Sequence, residues 1–252
     1  MDELHFMLSA DDTAIYAAYN SGDLDYIDTV PNDEISSLNG INPEFGILDN
    51  LGTYYIGFNV NDPIFDGKTE EQAAKMREAI SLLVDTQFIV ENVGQTGHIA
   101  VAESVQQDVA LLGINLEIKS EDWNVFLEDR KSGNFTIARE GWLADYNDPV
   151  NMLEIFTSDS GNNDMQLGKG TPVYSSPDWT AYDELIGQIR TTTDFAARVD
   201  LMHQAEDMLM DTWAVIPIYY YNDVYMQKSN VIGVYATVYG MKYFMYATKS
   251  AQ

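Results

Sequence analysis

The chain has 252 residues, with 13 Lys+Arg against 40 Asp+Glu and a formal net charge of −27. Its 46% hydrophobic and 12% aromatic content excludes a disordered acidic tail, and its charge argues against nucleic acid and anionic membrane surfaces as partners. The absence of cysteine excludes disulfides, thiolate metal sites and cysteine nucleophiles.

No apolar run is long enough to span a bilayer, so no membrane insertion by this chain is expected. Residues 1–20 lack the basic start and apolar stretch of a signal peptide, which fits a non-exported chain or a mature form. Leu4, Phe6 and Leu8 alternate with His5 and Met7 and predict a strand. Asp11-Asp12 opens a helix that ends at Ser21-Gly22, a glycine C-cap. Leu24, Tyr26 and Ile27 read as the next strand, and the Pro, Asn, Asp and Gly of 31–50 as a connector. Thr53 to Val60 is strongly β. Thr69 and Gln72 form a capping box for a helix with Ala73, Met76, Ile80 and Leu83 on one stripe.

After a break at 92–97, a helix carries Ala102, Val105, Val109 and Leu112 and stops at Gly113. Ile114, Leu116 and Ile118 alternate with polar residues, the pattern of a strand with one buried face. Ser120 is read as the cap of a helix through Trp123, Phe126 and Leu127 that ends at Ser132-Gly133. Phe135 to Arg139 is strand-like, and 158–177 has loop composition. Helices follow around 181–190 and 194–210, then β-rich segments over 215–226 and 234–246. Alternation of this kind predicts an α/β layered domain.

His5, His98 and His203 are far apart and have no second ligand at helical spacing, so a zinc site is not expected. The acidic loop 159–164 lacks the calcium-loop pattern, and no nucleophile or phosphate-loop motif is present; no cofactor is expected. The informative stretch runs from Arg139 to Pro149. A strand ends near Arg139, Gly141 permits tight backbone, and Trp142, Asp145 and Tyr146 follow on a loop. Ligands bind at strand ends in open α/β sheets. A carboxylate beside aromatic walls suits an ammonium group, and Arg139 offers a fork for a carboxylate. The alternative is that Trp142 is core and that Asp145 or Asp148 caps a helix beginning near Pro149. Tyr219, Tyr220 and Tyr221 form a second aromatic group, of which alternate rings face opposite sides of a strand.

Several ordered segments carry a resemblance. They are Ser21 to Asp25, Gly52 to Asn59, Met76 to Asp85, His98 to Gln106, Gly113 to Asn115, Asp122 to Leu127, Gly141 to Pro149 and Ile216 to Tyr220. In this order they resemble the oligopeptide- and dipeptide-binding subunits of ABC importers, a class of extracytoplasmic solute-binding proteins. The resemblance implies an α/β, periplasmic-binding-protein-like (type II) lobe with a mixed sheet flanked by helices, half of a clamshell that traps an extended peptide. It implies no enzymatic activity, an extracytoplasmic location, and as partners a small peptide and, for the full-length protein, a membrane permease. Asp145 matches the acid that binds the peptide α-ammonium and Trp142 its wall. Arg139 and His98 match positions that can meet the peptide carboxylate, and Tyr146, Tyr219 and Tyr221 fall in matching segments.

Family members are longer. The chain therefore reads as residues 1–40 from the first lobe, 41–222 as the second lobe, and 223–252 returning to the first. A stretch usual in the family is missing near Gly97-His98, and its usual Asp-Arg pair is Asp85-Thr86. A half site should bind peptide weakly or not at all, and sub-micromolar calorimetric affinity for a mixed peptide library would contradict this. An oligosaccharide or metal-chelate ligand within the family, an acidic hydrolase and a pure interaction module are the alternatives.

Overall fold

The computed structural model describes residues 3–93, 97–169 and 177–250. The chain divides into two compact units, one formed by Met1–Gly52 with Tyr220–Gln252 and the other by Thr53–Tyr219.

In the first unit, α1 (Asp12–Ser21) is capped by the Asp11 carboxylate, which accepts from Thr13 N and Ala14 N, and closes on left-handed Gly22. Strand β1 (Tyr26–Ile27) follows, then α2 (Asn32–Leu38). Helix α2 lies in the expected connector. Its apolar signal is only Ile35 and Leu38, too sparse to stand out among polar neighbours, yet both pack on the core of Tyr19, Ile27, Val30 and Met226. Strand β2 (Phe45–Phe58) starts well before Thr53. Residues 4–8 make no strand, and Leu8 is 92% exposed.

The second unit continues with α3 (Glu70–Ser81), whose Thr69–Gln72 capping box is present as expected. Its largest buried side chain is not on the apolar stripe. Arg77 is fully buried, donates Nε to Thr212 O at 2.8 Å and lies over the Phe65 ring. Burial lowers its guanidinium to about 10, still charged at neutral pH. A single turn, α4 (Thr86–Phe88), leads to α5 (His98–Ala110) and α6 (Trp123–Ser132). Asp122, not Ser120, caps α6, since its carboxylate reaches Asn124 N at 3.1 Å. The predicted strand at 114–118 has no ladder partner among the described residues.

Strand β3 (Ile137–Leu143), α7 (Val150–Leu153), α8 (Thr180–Thr191) and α9 (Phe195–Asp211) complete this unit together with the start of β4 (Val215–Gln227). Its strands run in the order β4–β2–β3. One face of the sheet carries Tyr55 into a core with Leu153, Phe156, Trp179, Tyr182, Ile186, Met202 and Leu209 from α7 to α9 and their connections. Back in the first unit the order is β1–β4–β2, with Tyr26 opposite Gln227 in an antiparallel pair. The β-rich end is reduced to two-residue pairs: β5 (Val231–Ile232) with β8 (Thr248–Lys249), and β6 (Tyr235–Ala236) with β7 (Lys242–Tyr243).

Gly168 shows how tightly the segment before α8 is packed. It has φ +67°, and a Cβ there would lie 2.6 Å from Trp179 Cβ and 3.0 Å from Ser158 Cβ. Gly168→Ala should therefore cost about 2–4 kcal/mol, combining left-handed strain with overpacking. Urea unfolding measures this, and a loss below about 0.5 kcal/mol would contradict it.

Candidate functional site

Alternation along β3 sorts the expected site residues into two groups. Ala138, Glu140 and Trp142 lie on one face and Arg139 on the other. Trp142 packs against the α7–α9 core, whereas Arg139 stands over Trp123 and Tyr54, 5.5 and 5.6 Å from their ring centroids.

The first group surrounds Asn151, a buried residue of α7 that the sequence reading missed. Its Oδ1 accepts from Trp142 Nε1 at 3.1 Å and from the Asp145 backbone N at 2.9 Å. One amide thus fixes both the indole and the backbone that presents Asp145. Its Nδ2 donates to Glu154 Oε1 at 3.3 Å, and Tyr146 OH donates to the same oxygen. Arg190 NH2 donates to Glu154 Oε2 at 2.8 Å. Burial pushes the Glu154 carboxyl up, but the hydrogen bonds from Tyr146, Arg190 and Asn151 outweigh it and hold the group below its ordinary range. Asp148 stands just before Pro149, the N-cap of α7, accepting from Val150 N at 3.0 Å and pairing with Arg198 at 2.9 Å.

Asp145 does neither job. Its carboxylate is exposed and has no hydrogen bond or ion pair among the described residues. It lines an open concavity of about 330 Å³ together with Trp142, Glu154, Asp159 and Arg190. Because Glu154 already engages Arg190, the free charge in this hollow is negative and suits a cation.

The second group is an aromatic stack with two nitrogen-rich side chains. Tyr219 stacks on Tyr54 at 4.6 Å, and Tyr54 on the His98 ring at 5.7 Å. Arg139 NH2 donates to His98 Nε2 at 2.8 Å. Burial first, and the Arg139 charge second, lower the His98 pKa; because a guanidinium only donates, Nε2 is the acceptor in this pair. Arg139 Nε is buried and has no hydrogen-bond partner among the described residues. The structure joins His98, Arg139 and Tyr219 in one cluster and Trp142, Asp145 and Tyr146 in another, and shows no contact between Arg139 and Asp145. Tyr221 belongs to the other compact unit. Among the described residues, no group of three His, Asp or Glu side chains could hold a metal ion.

The family described as bacterial extracellular solute-binding proteins, family 5 Middle, matches residues 1–100 and 94–164. This chain belongs to that family. The family-5 chain is 26% identical over 300 aligned positions to the dipeptide-binding protein DppE of Bacillus subtilis, covering 93% of this chain and 52% of that one. It is 35% identical over 148 positions to the oligopeptide-binding protein OppA of the same organism, covering 58% and 26%. The fold is that of a periplasmic oligopeptide-binding protein from Borrelia burgdorferi, with a TM-score of 0.76 at 18% identity, covering 97% of this chain and 58% of that chain. The family-5 chain therefore spans about half the length of the relatives it matches. Among the described residues, no helix is long and apolar enough to cross a membrane.

Proposed function

We propose that this chain captures peptides outside the cytoplasm for an ABC importer, acting as a binding lobe and not as an enzyme. In this reading Asp145 neutralises the peptide α-ammonium against the Trp142 indole. The observation that carries it is the unpaired Asp145 carboxylate at a concave surface that Trp142 also lines, with Asn151 fixing the Asp145 backbone N–H and the indole N–H. Arg139 and His98 then serve the carboxylate end, with Tyr219 as a flanking ring. A permease is the partner of the whole protein.

The domain reading is part of the proposal: residues 41–222 as second lobe, 1–40 and 223–252 belonging to the first, and a shortening near 97–98. Two features support it. The family matches in two stretches that overlap at 94–100. The match to DppE has 300 positions, 48 more than the 252 residues of this chain, so a stretch of that relative has no counterpart here.

The test is a titration that follows the Trp142 indole N–H resonance, which reports weak binding. Tri-alanine with a free amino terminus should move it at millimolar concentration, and N-acetylated tri-alanine should not. Asp145→Asn should weaken the response about tenfold or more, the size of a lost charge-assisted hydrogen bond. Equal responses to the free and acetylated peptides would overturn the ammonium assignment.

A further inference from the structure

Residues 114–119 carry the burial pattern of an open strand edge. Ile114, Leu116 and Ile118 are half-buried, while Asn115, Glu117 and Lys119 are exposed, the period-two burial of an extended strand. Among the described residues, no strand pairs with it. Among the described residues, the main chain of this segment has one hydrogen bond, Gln106 Nε2 donating to Leu116 O at 2.6 Å. A strand residue's N–H and C=O point to the same edge, and its neighbours' point to the other. Since the Leu116 carbonyl faces Gln106 and the protein, the amides and carbonyls of Asn115 and Glu117 face outward. An unpaired outward row is a template for another strand.

Edges of this kind are commonly guarded by a lysine. Here the Lys119 ammonium is drawn aside by Glu121 at 2.6 Å and Asp129 at 3.1 Å. Exposed apolar side chains flank the edge on both sides. Leu111 is 78% and Trp123 53% exposed.

We propose that this edge pairs with the same edge of a second copy of the chain, antiparallel about a two-fold axis at Leu116. The sequence is self-complementary in that register and in no adjacent one. Ile114 falls opposite Ile118, Leu116 opposite Leu116, and Asn115 opposite Glu117. A one-residue slip would put Leu116 opposite Glu117 and mismatch the faces. The outward groups of Asn115 and Glu117 become the hydrogen-bonded pair, and the Leu116 pair sits between them with side chains in close approach. No like charges stand directly opposite. Such an isologous contact closes on itself and makes a dimer, not a fibre. The net charge of −27 opposes it at long range, so raising the salt to about 0.5 M should tighten the dimer.

Sedimentation velocity over a micromolar-to-millimolar series tests the proposal, with hydrogen exchange as a second readout. A concentration-dependent dimer is expected, with the Asn115 and Glu117 amides protected in it and those of Ile114 and Leu116 unchanged. Asn115→Lys places lysine opposite Glu117 twice per dimer, and Asn115→Glu places glutamate there. The first should tighten and the second loosen Kd by roughly 2- to 30-fold each. Gln204→Lys and Gln204→Glu make the same charge changes on the exposed side of α9 and should have far smaller effects. A monomer at every concentration would overturn the proposal, as would a dimer indifferent to residue 115. Peptide titration that protects the 115 and 117 amides while the chain stays monomeric would assign the edge to ligand instead and overturn it equally.

Discussion

Replacing Arg130 with Met should destabilise the protein by about 3–5 kcal/mol at pH 9 and by clearly less at pH 5. Arg130 is nearly buried and lies between two buried carboxylates, pairing with Glu140 and approaching Asp164 at 3.5 Å. Burial pushes the Glu140 carboxyl up to about 8 despite the opposing pull of Arg130. Burial raises Asp164 as well, again against Arg130. A Glu whose folded-state pKa exceeds its unfolded value binds a proton in the native state that the unfolded chain has released. Stability from this group is therefore complete below about 4.5 and is lost as the pH rises through about 8. The slope is at most about 1.4 kcal/mol per pH unit. At pH 5 Glu140 is neutral, and removing Arg130 strands less charge. Urea unfolding at pH 5, 7 and 9 measures both effects. Glu140→Gln should flatten the wild-type decline between pH 5 and 8. A cost for Arg130→Met that does not change with pH would contradict the raised carboxyl.

Trp179→Ala should cost about 3–5 kcal/mol. The indole is 3% exposed, stacks on Tyr182 at a centroid distance of 4.4 Å, and donates Nε1 to Phe156 O at 2.8 Å. Truncation opens a cavity between α8 and the turn after α7 and leaves a buried carbonyl without its donor. Trp179→Phe keeps most of the stacking and should cost about 1–2 kcal/mol, the share of the lost hydrogen bond. Thermal and urea unfolding of both variants give the difference. Equal losses for Ala and Phe would mean that the ring contributes through its N–H alone.

Elements announced by local chemistry were legible in the sequence. Asp11 and Gly22 bracket α1, the Thr69–Gln72 box opens α3, and Asp194 caps α9, because each satisfies backbone groups within a few residues of itself. Elements that depend on distant partners were not. The alternation at 114–118 is real in burial, but a strand is defined by a neighbour, and none is there. Helix α2 is held by two apolar contacts with residues far along the chain. At the candidate site, Trp142 and Asp145 stood out through residue type and spacing. Asn151 did not, since a single asparagine in a four-residue helix has no pattern. Its importance comes from the two donors it joins, Trp142 Nε1 and Asp145 N. Likewise, the separation of Arg139 from Trp142 follows from strand parity, which can be applied only once the strand's extent is known.

The stretch from Thr157 to Lys169 is rich in Asp, Ser, Gly and Asn, yet it is built from the inside. Asn163 is 0% exposed; its Nδ2 donates to Thr157 O and Leu167 O, and its Oδ1 accepts from Leu167 N. Met165 and Leu167 are sealed in the core, and the Lys169 ammonium is spent on the Ser160 and Asn163 carbonyls. A protease needs a length of extended, detachable chain to seat a cleavable bond, and this stretch cannot detach without opening the α7–α9 core. It should therefore resist nicking by broad-specificity proteases under native conditions, and would be a poor place to insert a tag or splice a reporter despite its hydrophilic composition.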